Sequence, residues 1–246
     1  MNLLKIMKVD FLNTVSNLSL VFSNTIFPLV LIGIMGFISR KSYGSTFTSY
    51  DYYGVTMLIF TVSYMGTITA NTFMEKRIKK ANVRLIYSPT HTSCIFLSKI
   101  FSSFLFGLIT FTALMIFEQK VLNINLGKSN FIYVYAVIIC FAFFMCCFGA
   151  FMCCIFKSEE AANKFQAPIF MIMPIFGGLF FPLKSLGKTV NEISCISPWK
   201  WVNECIIKII YDSDLSYFVP VISTFIIGSL VLMILCKITF KEEAYI

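Results

Sequence analysis

Six long apolar runs, each free of charge or nearly so, dominate the chain: Leu18 to Ile38, Tyr53 to Met74, Cys94 to Phe117, Phe131 to Phe156, Phe165 to Leu183 and Tyr217 to Cys236. A hydrocarbon core about 30 Å thick is crossed by ~20 apolar residues in a helix, because a helix satisfies its backbone polar groups within the segment. The expected fold class is an all-α integral membrane protein, with six transmembrane helices in a single domain over residues 1–246. Composition agrees: 58% of the residues are hydrophobic and 13% charged, against roughly 45–50% apolar in soluble domains. Lys99 is the one charge inside a run, near enough to its start to snorkel to the headgroups. Nothing behind the first run looks like a small-residue cleavage site, so it reads as a retained span.

The segments between the runs also carry pattern. Leu4, Met7, Phe11 and Val15 recur at helical spacing, which predicts an N-terminal interfacial helix resting on its apolar stripe. The net charge is +8, but the basic residues are scattered among loops, which favours lipid headgroups over nucleic acid as their partner. With an even number of spans, Lys5, Lys8, the cluster from Lys76 to Arg84, Lys157, Lys164, Lys237 and Lys241 share one side, and the positive-inside rule places both termini in the cytoplasm. Abundant isoleucine, lysine and asparagine point to an AT-rich bacterial genome, hence a bacterial plasma membrane. KSEEAANK, Lys157 to Lys164, is expected to be a tight inner turn. The fifth run holds Pro168, Pro174, Gly177, Gly178 and Pro182, which predicts a kink or break toward its outer end. Before the last run, Ser197 and Pro198 open a helix. Trp199, Val202, Ile206 and Ile209 form its apolar stripe and Lys200, Glu204 and Lys208 its polar face, as expected of an external re-entrant or amphipathic helix.

Enzyme chemistry is not visible. GKS at Gly127 and GKT at Gly187 lack the leading glycine of a phosphate-binding loop, with Leu122 and Pro182 in its place. Glu159 and Glu160 resemble the glutamate motif of intramembrane CAAX-type proteases, yet such sites need an arginine and downstream histidines, and the only histidine, His91, lies upstream. Cys146, Cys147, Cys153 and Cys154 repeat on one helix face and read as small packing residues; without histidine or carboxylate neighbours they make no metal site. Cys195 and Cys205 leave a disulfide open. The spans carry no ionisable residue near the bilayer midplane for ion coupling. If the protein pumps anything, a partner must supply the energy.

The most polar stretch is FMEKRIKKANVRLIYSPT, Phe73 to Thr90. On a helical wheel Ile78, Ala81, Leu85 and Ile86 gather on one side and Lys76, Lys79, Lys80 and Arg84 on the other, with Pro89 ending the pattern. It reads either as a solvated basic loop or as a short helix along the membrane that offers its polar face to a cytosolic partner.

The order of these segments resembles the membrane subunits of ABC-2 type exporters: an amphipathic N-terminal helix, TIFPLVLIGIMGF in the first span, FMEKRIKKANVRLIYSP after the second, LSKI opening the third, a proline- and glycine-rich fifth span, and SPWKW in the loop that follows. The resemblance covers essentially the whole chain. It implies a permease that pairs in the membrane, as homodimer or heterodimer, and carries two copies of a separate cytosolic ABC ATPase. ATP and Mg would bind that ATPase, and no cofactor or metal this chain. It further implies a cytoplasmic coupling helix, with Glu75 opening it and Lys76, Arg77, Lys79, Lys80 and Arg84 facing the ATPase before Pro89. Pro174, Gly177, Gly178, Phe180, Phe181, Pro182, Pro198, Trp199 and Trp201 would form an external gate. Spans rich in phenylalanine and methionine favour an amphipathic or lipid-like cargo such as a drug, an antimicrobial peptide or a lipid-linked molecule. The alternative is a non-transporting membrane immunity, sensor or scaffold protein.

Overall fold

The computed structural model describes residues 3–44, 47–74, 92–182 and 192–240. Their helices are α1 (Leu3–Val15), α2 (Leu18–Ile38), α3 (Ser49–Ser63), α4 (Met65–Met74), α5 (Thr92–Lys120), α6 (Phe131–Phe156), α7 (Glu159–Phe176), α8 (Pro198–Ile207) and α9 (Phe218–Thr239). No strand occurs among the described residues. Five segments are long and apolar enough to cross a membrane: Leu18–Ile38, Ser49–Phe73, Ser93–Lys120, Lys128–Phe156 and Phe218–Thr239. This is a multi-pass membrane protein.

Contacts between the described helix ends fall into two groups. At the end that carries α1, Cys153 Sγ donates to the Ala70 carbonyl at 3.4 Å, Asn163 Nδ2 to Asn71 Oδ1 at 2.7 Å, and Phe96 packs on Phe240. At the opposite end Ser49 Oγ donates to the Gly36 carbonyl at 2.6 Å, the Asn125 amide to Asp51 Oδ1 at 2.8 Å, and Asn130 Nδ2 to the Ile209 carbonyl at 3.2 Å. There α3 starts on a reciprocal cap: Thr48 Oγ1 accepts from the Asp51 amide, and Asp51 Oδ2 accepts from the Thr48 amide, both at 3.1 Å. Two donors that a helix start leaves without partners are thereby satisfied.

Burial ranks the spans. In the apolar stretch of α3 and α4, 89% of residues are buried, against 22% in α2 and 17% in α9. The joined pair α3–α4 is therefore the centre, packed on α6, and α2 and α9 are flanks whose apolar side chains face outward. Two glycines set the central crossing. A Cβ added at Gly149 of α6 would fall on the Gly66 carbonyl of α4, so the two backbones touch. Close approach through small residues is how helices gain packing energy in a solvent as apolar as their own side chains.

Four sequence expectations change. The polar octet 157–164 is not all turn: Ser158 Oγ accepts from the Ala161 amide at 3.0 Å as an N-cap, and Glu159 and Glu160 already occupy the first turn of α7. Carboxylates there favour the positive end of the helix dipole. The helix then stops at Phe176, short of Leu183, so its apolar part from Phe165 is about 18 Å long at ~1.5 Å per residue. The interfacial helix also turns a different face inward. Ile6, Asp10 and Thr14 are its buried residues, whereas Leu4 and Val15 of the expected stripe are exposed. Lys99, finally, does not snorkel. Its Nζ lies 2.5 Å from Asp10 Oδ1, both side chains are almost fully buried, and Ser98 Oγ donates to Asp10 Oδ2 at 3.3 Å.

A second buried ionisable group sits at the other end of α5. Glu118 is fully buried, and neither carboxyl oxygen has a hydrogen-bond partner among the described residues. A buried polar group left unpaired costs about 1–3 kcal/mol. Glu118→Met, of similar length, is therefore expected to stabilise the protein by that order, read as a higher thermal midpoint of the purified chain in detergent. An unchanged or lower midpoint would mean that the carboxyl has a stabilising partner.

Candidate functional site

The residues singled out for coupling, Glu75, Lys76, Arg77, Lys79, Lys80, Arg84 and Pro89, lie outside the described residues. The set from Pro174 to Trp201 lies within them and is built around the end of α7. The Gly177 amide donates to the Met173 carbonyl at 2.8 Å, the Gly178 amide to Ile175 at 3.0 Å and the Leu179 amide to Pro174 at 3.1 Å. Gly178 has a φ of +69°, in the left-handed region that glycine occupies without steric cost, and there the helix ends.

A helix end leaves carbonyls without intrahelical partners, and here side chains from α3 and α8 supply them. The Tyr52 hydroxyl donates to the Gly178 carbonyl, the Tyr53 hydroxyl to Phe180 at 3.0 Å, and Asn203 Nδ2 to Gly177 and Gly178 at 3.2 and 3.4 Å. Ser197 Oγ, one residue ahead of α8, donates to the Met173 carbonyl at 2.8 Å. Pro198 occupies the first position of α8, where its missing amide proton is not needed. Trp199 then points into the core: it packs against Phe141 and Phe170, and its Nε1 donates to Ser63 Oγ. A Cβ at Gly177 would come within 2.6 Å of Trp199 Cβ, so the end of α7 and the start of α8 are in close contact.

Pro174, Gly177, Gly178, Pro198 and Trp199 thus converge, and Phe180 joins them against Phe60 at a ring-centroid distance of 5.3 Å. Phe181 and Pro182 are exposed, and Pro182 lines a cavity together with Gly177 and Gly178. Trp201 faces away, partly exposed, with Nε1 donating to the Cys195 carbonyl at 2.9 Å. The apolar stripe expected for α8 is buried at all four positions, but Lys200 of its expected polar face is buried as well. Cys195 and Cys205 are not joined in a disulfide; Cys195 is exposed and Cys205 buried.

At the broken end lies a cavity of about 480 Å3, whose lining includes Gly177, Gly178, Tyr43, Phe47, Tyr52 and Asn203, with Lys200, Glu204, Lys208 and Asp212 as its charged members. Burial pushes the Tyr43 and Tyr211 hydroxyls above the usual phenol range and the Cys205 thiol up to about 12, so these groups are neutral at physiological pH. Asp214, fully exposed, is held below the ordinary carboxylate range by hydrogen bonds from Ser216. What the arrangement offers is a place to bind and a helix end held by a few separable hydrogen bonds.

The family model for the ABC-2 type transporter matches residues 2–211, from α1 through the turn that follows α8. The chain belongs to the ABC-2 type transporter family. It is accordingly a permease component of an ABC transporter. No curated protein matches the chain. In this ABC-2 permease, Tyr52, Tyr53, Ser63 and Asn203 are the site residues that sequence reasoning missed. The run SYDYYG at Ser49 to Gly54 was the signal for the two tyrosines only: hydroxyl-bearing rings clustered at the start of a span have to find acceptors.

Proposed function

We propose that this permease is the membrane-spanning half of an exporter that moves an amphipathic or lipid-like molecule out of the cytoplasm or the inner leaflet. It would pair with a second permease chain and be driven by two copies of a cytosolic ABC ATPase, in a bacterial plasma membrane with both termini inside. ATP binding draws the ATPases together, the coupling segment from Glu75 to Pro89 follows, and the change reaches the broken end of α7, which serves as the external gate.

The observation that supports this cargo class most directly is a groove of about 300 Å3 between α2 and α3–α4. Ser23, Asn24, Thr61, Tyr64 and Thr67 line it together with Phe27. Asn24 is buried, and its Nδ2 donates to the Leu20 carbonyl of its own helix at 2.8 Å, while Oδ1 has no partner among the described residues. An amide oxygen left open inside a membrane span is costly unless something fills it. Hydroxyl, amide and aromatic groups in one groove suit a cargo that is apolar but carries hydrogen-bonding groups.

The test is co-expression with the ABC ATPase encoded alongside the permease. A complex that survives detergent and turns over ATP is expected, with turnover raised by amphiphiles. Reversing the charge at Glu75, or jointly at Lys79, Lys80 and Arg84, should reduce both co-purification and turnover by about tenfold or more, since several charged contacts to one surface would turn repulsive. Co-purification that ignores these changes removes the coupling assignment.

A further inference from the structure

We propose that the groove between α2 and the joined pair α3–α4 binds an amphiphile whose head is uncharged and carries several hydroxyl groups. As a statement about cargo this rests on the exporter reading and narrows it; as a statement about binding it does not. From Asp51 to Phe73 the central pair is sealed by its neighbours at every position except Tyr64, Thr67 and Asn71. These three share one side of α4, at spacings of three and four, and each has a hydrogen-bonding side chain. A face turned to lipid tails is apolar, as Ile226, Ile227, Leu230, Val231 and Ile234 of α9 are. A stripe that is polar throughout at membrane depth meets something other than tails.

Hydroxyls elsewhere in these helices are engaged. Thr61 Oγ1 donates to the Met57 carbonyl at 2.8 Å, Thr69 Oγ1 to Met65 at 2.9 Å, Thr72 Oγ1 to Thr69 at 2.7 Å, and Thr25 Oγ1 of α2 to Val21 at 2.7 Å. The hydroxyls of Ser23, Tyr64 and Thr67 have no partner among the described residues, yet all three residues line the groove and keep open surface. A hydroxyl donates and accepts, so three around one space match a head that does both. Asn71 carries the polar line one turn further, toward the end that holds α1, with its Oδ1 accepting from Asn163 Nδ2 at 2.7 Å.

The lining also decides the charge of the head. Among the described residues that form it, none is acidic or basic. An ion moved from water into such a space meets no counter-charge to offset its desolvation, whereas a hydroxylated head exchanges its bonds to water for bonds to the groove. The cavity at the end of α7 differs in this respect, with two cations and two carboxylates in its wall. Phe27, Phe60 and Tyr64 add ring surface for the apolar part of the ligand. A volume of about 300 Å3 admits one sugar-sized ring and the first methylenes of a chain.

The full chain in phosphatidylcholine nanodiscs is exposed to octyl glucoside bearing a diazirine in its alkyl chain, below the micellar concentration, and illuminated. The label should saturate and fall in peptides that cover residues 20–27 and 60–68. Unlabelled octyl glucoside should displace it at about tenfold lower concentration than 1-octanol, octyltrimethylammonium or octyl sulfate. The triple variant Ser23→Ala, Tyr64→Phe and Thr67→Val keeps the shape of the groove and removes three hydroxyls that hold nothing in the fold. Its thermal midpoint should stay where it is while affinity for the glucoside falls about tenfold or more. Labelling that never saturates, octanol or an ion competing as well as the glucoside, or affinity unchanged in the triple variant would each overturn the proposal. So would a groove that takes no label while the triple variant turns dimers into monomers, since a second copy would then be its occupant. If the ATPase complex moves other amphiphiles in proteoliposomes while glucoside binding fails, only this site falls. If binding behaves as stated and the complex moves no glucoside, the exporter reading falls and the site stands.

Discussion

Gly149→Ala should yield little folded protein, although it adds a single methyl group to a membrane helix. The new Cβ would land on the carbonyl, carbonyl carbon and Cα of Gly66, which are backbone atoms and have no rotamer by which to move aside. Nor can α4 retreat from α6. A Cβ position at Gly66 is already closed by Gln166 Oε1 and Phe170 Cζ at 2.8 Å and by the Met145 carbonyl at 3.3 Å, so α7 presses on the same point. Relief therefore requires three helices to separate. Overpacking costs typically 1–3 kcal/mol, and about 3 kcal/mol or more is expected where backbone is the obstacle, a large share of the ~5–15 kcal/mol that holds a fold together. Gly33→Ala is the matched control. Nothing lies within 4 Å of its Cβ position, so removing a glycine from a helix interior should gain about 0.5–1 kcal/mol. Monodisperse yield and thermal midpoint in detergent measure both, and equal behaviour of the two variants would show that the α4–α6 crossing is looser than drawn.

Five of the six expected spans were legible in the sequence because lipid leaves a chain few options: a segment that crosses must close its own hydrogen bonds, and a long apolar run is the result. The broken end of α7 was legible for a related reason, since Pro174 and the pair Gly177 and Gly178 state in covalent terms where a helix cannot continue. Which face of a helix turns inward was less so. For α8 the apolar stripe of Trp199, Val202, Ile206 and Ile209 is the buried one, as it would be in water. For α1 the apolar stripe is exposed at Leu4 and Val15 and only half-buried at Met7 and Phe11, and the buried line of Ile6, Asp10 and Thr14 includes a carboxylate. Where the surroundings are oil, hydrophobicity does not distinguish a neighbouring helix from solvent, and polar or small residues mark the contact instead. The walls of the cavity were hidden by another circumstance. Tyr43 precedes α3, Tyr52 lies in it and Asn203 sits in α8, so no local pattern joins them.

Asp10→Ala and Lys99→Met, each alone, should destabilise the protein by about 3–5 kcal/mol, the cost of leaving one member of a buried ion pair without its partner. The two groups lie 2.5 Å apart in a setting that excludes water from both, and they join α1 to the start of α5. Ile6 is buried and Phe11 packs half-buried against the core, so α1 retains some apolar contact; either variant is expected to loosen α1, which limited proteolysis near the N-terminus would detect alongside the fall in thermal midpoint. The double variant Asp10→Leu with Lys99→Met separates stabilisation from specificity. Replacing a whole buried pair with apolar side chains is often neutral or favourable by about 1–4 kcal/mol, so the midpoint should recover to that of the parent or above. If it does, and α1 stays protected from protease, the pair sets where α1 docks and contributes little net stability. If the double variant is as impaired as the singles, the charges themselves hold α1 in place; with Asp10→Leu alone as the matching single, the shortfall of the double below the sum of the two singles measures their coupling.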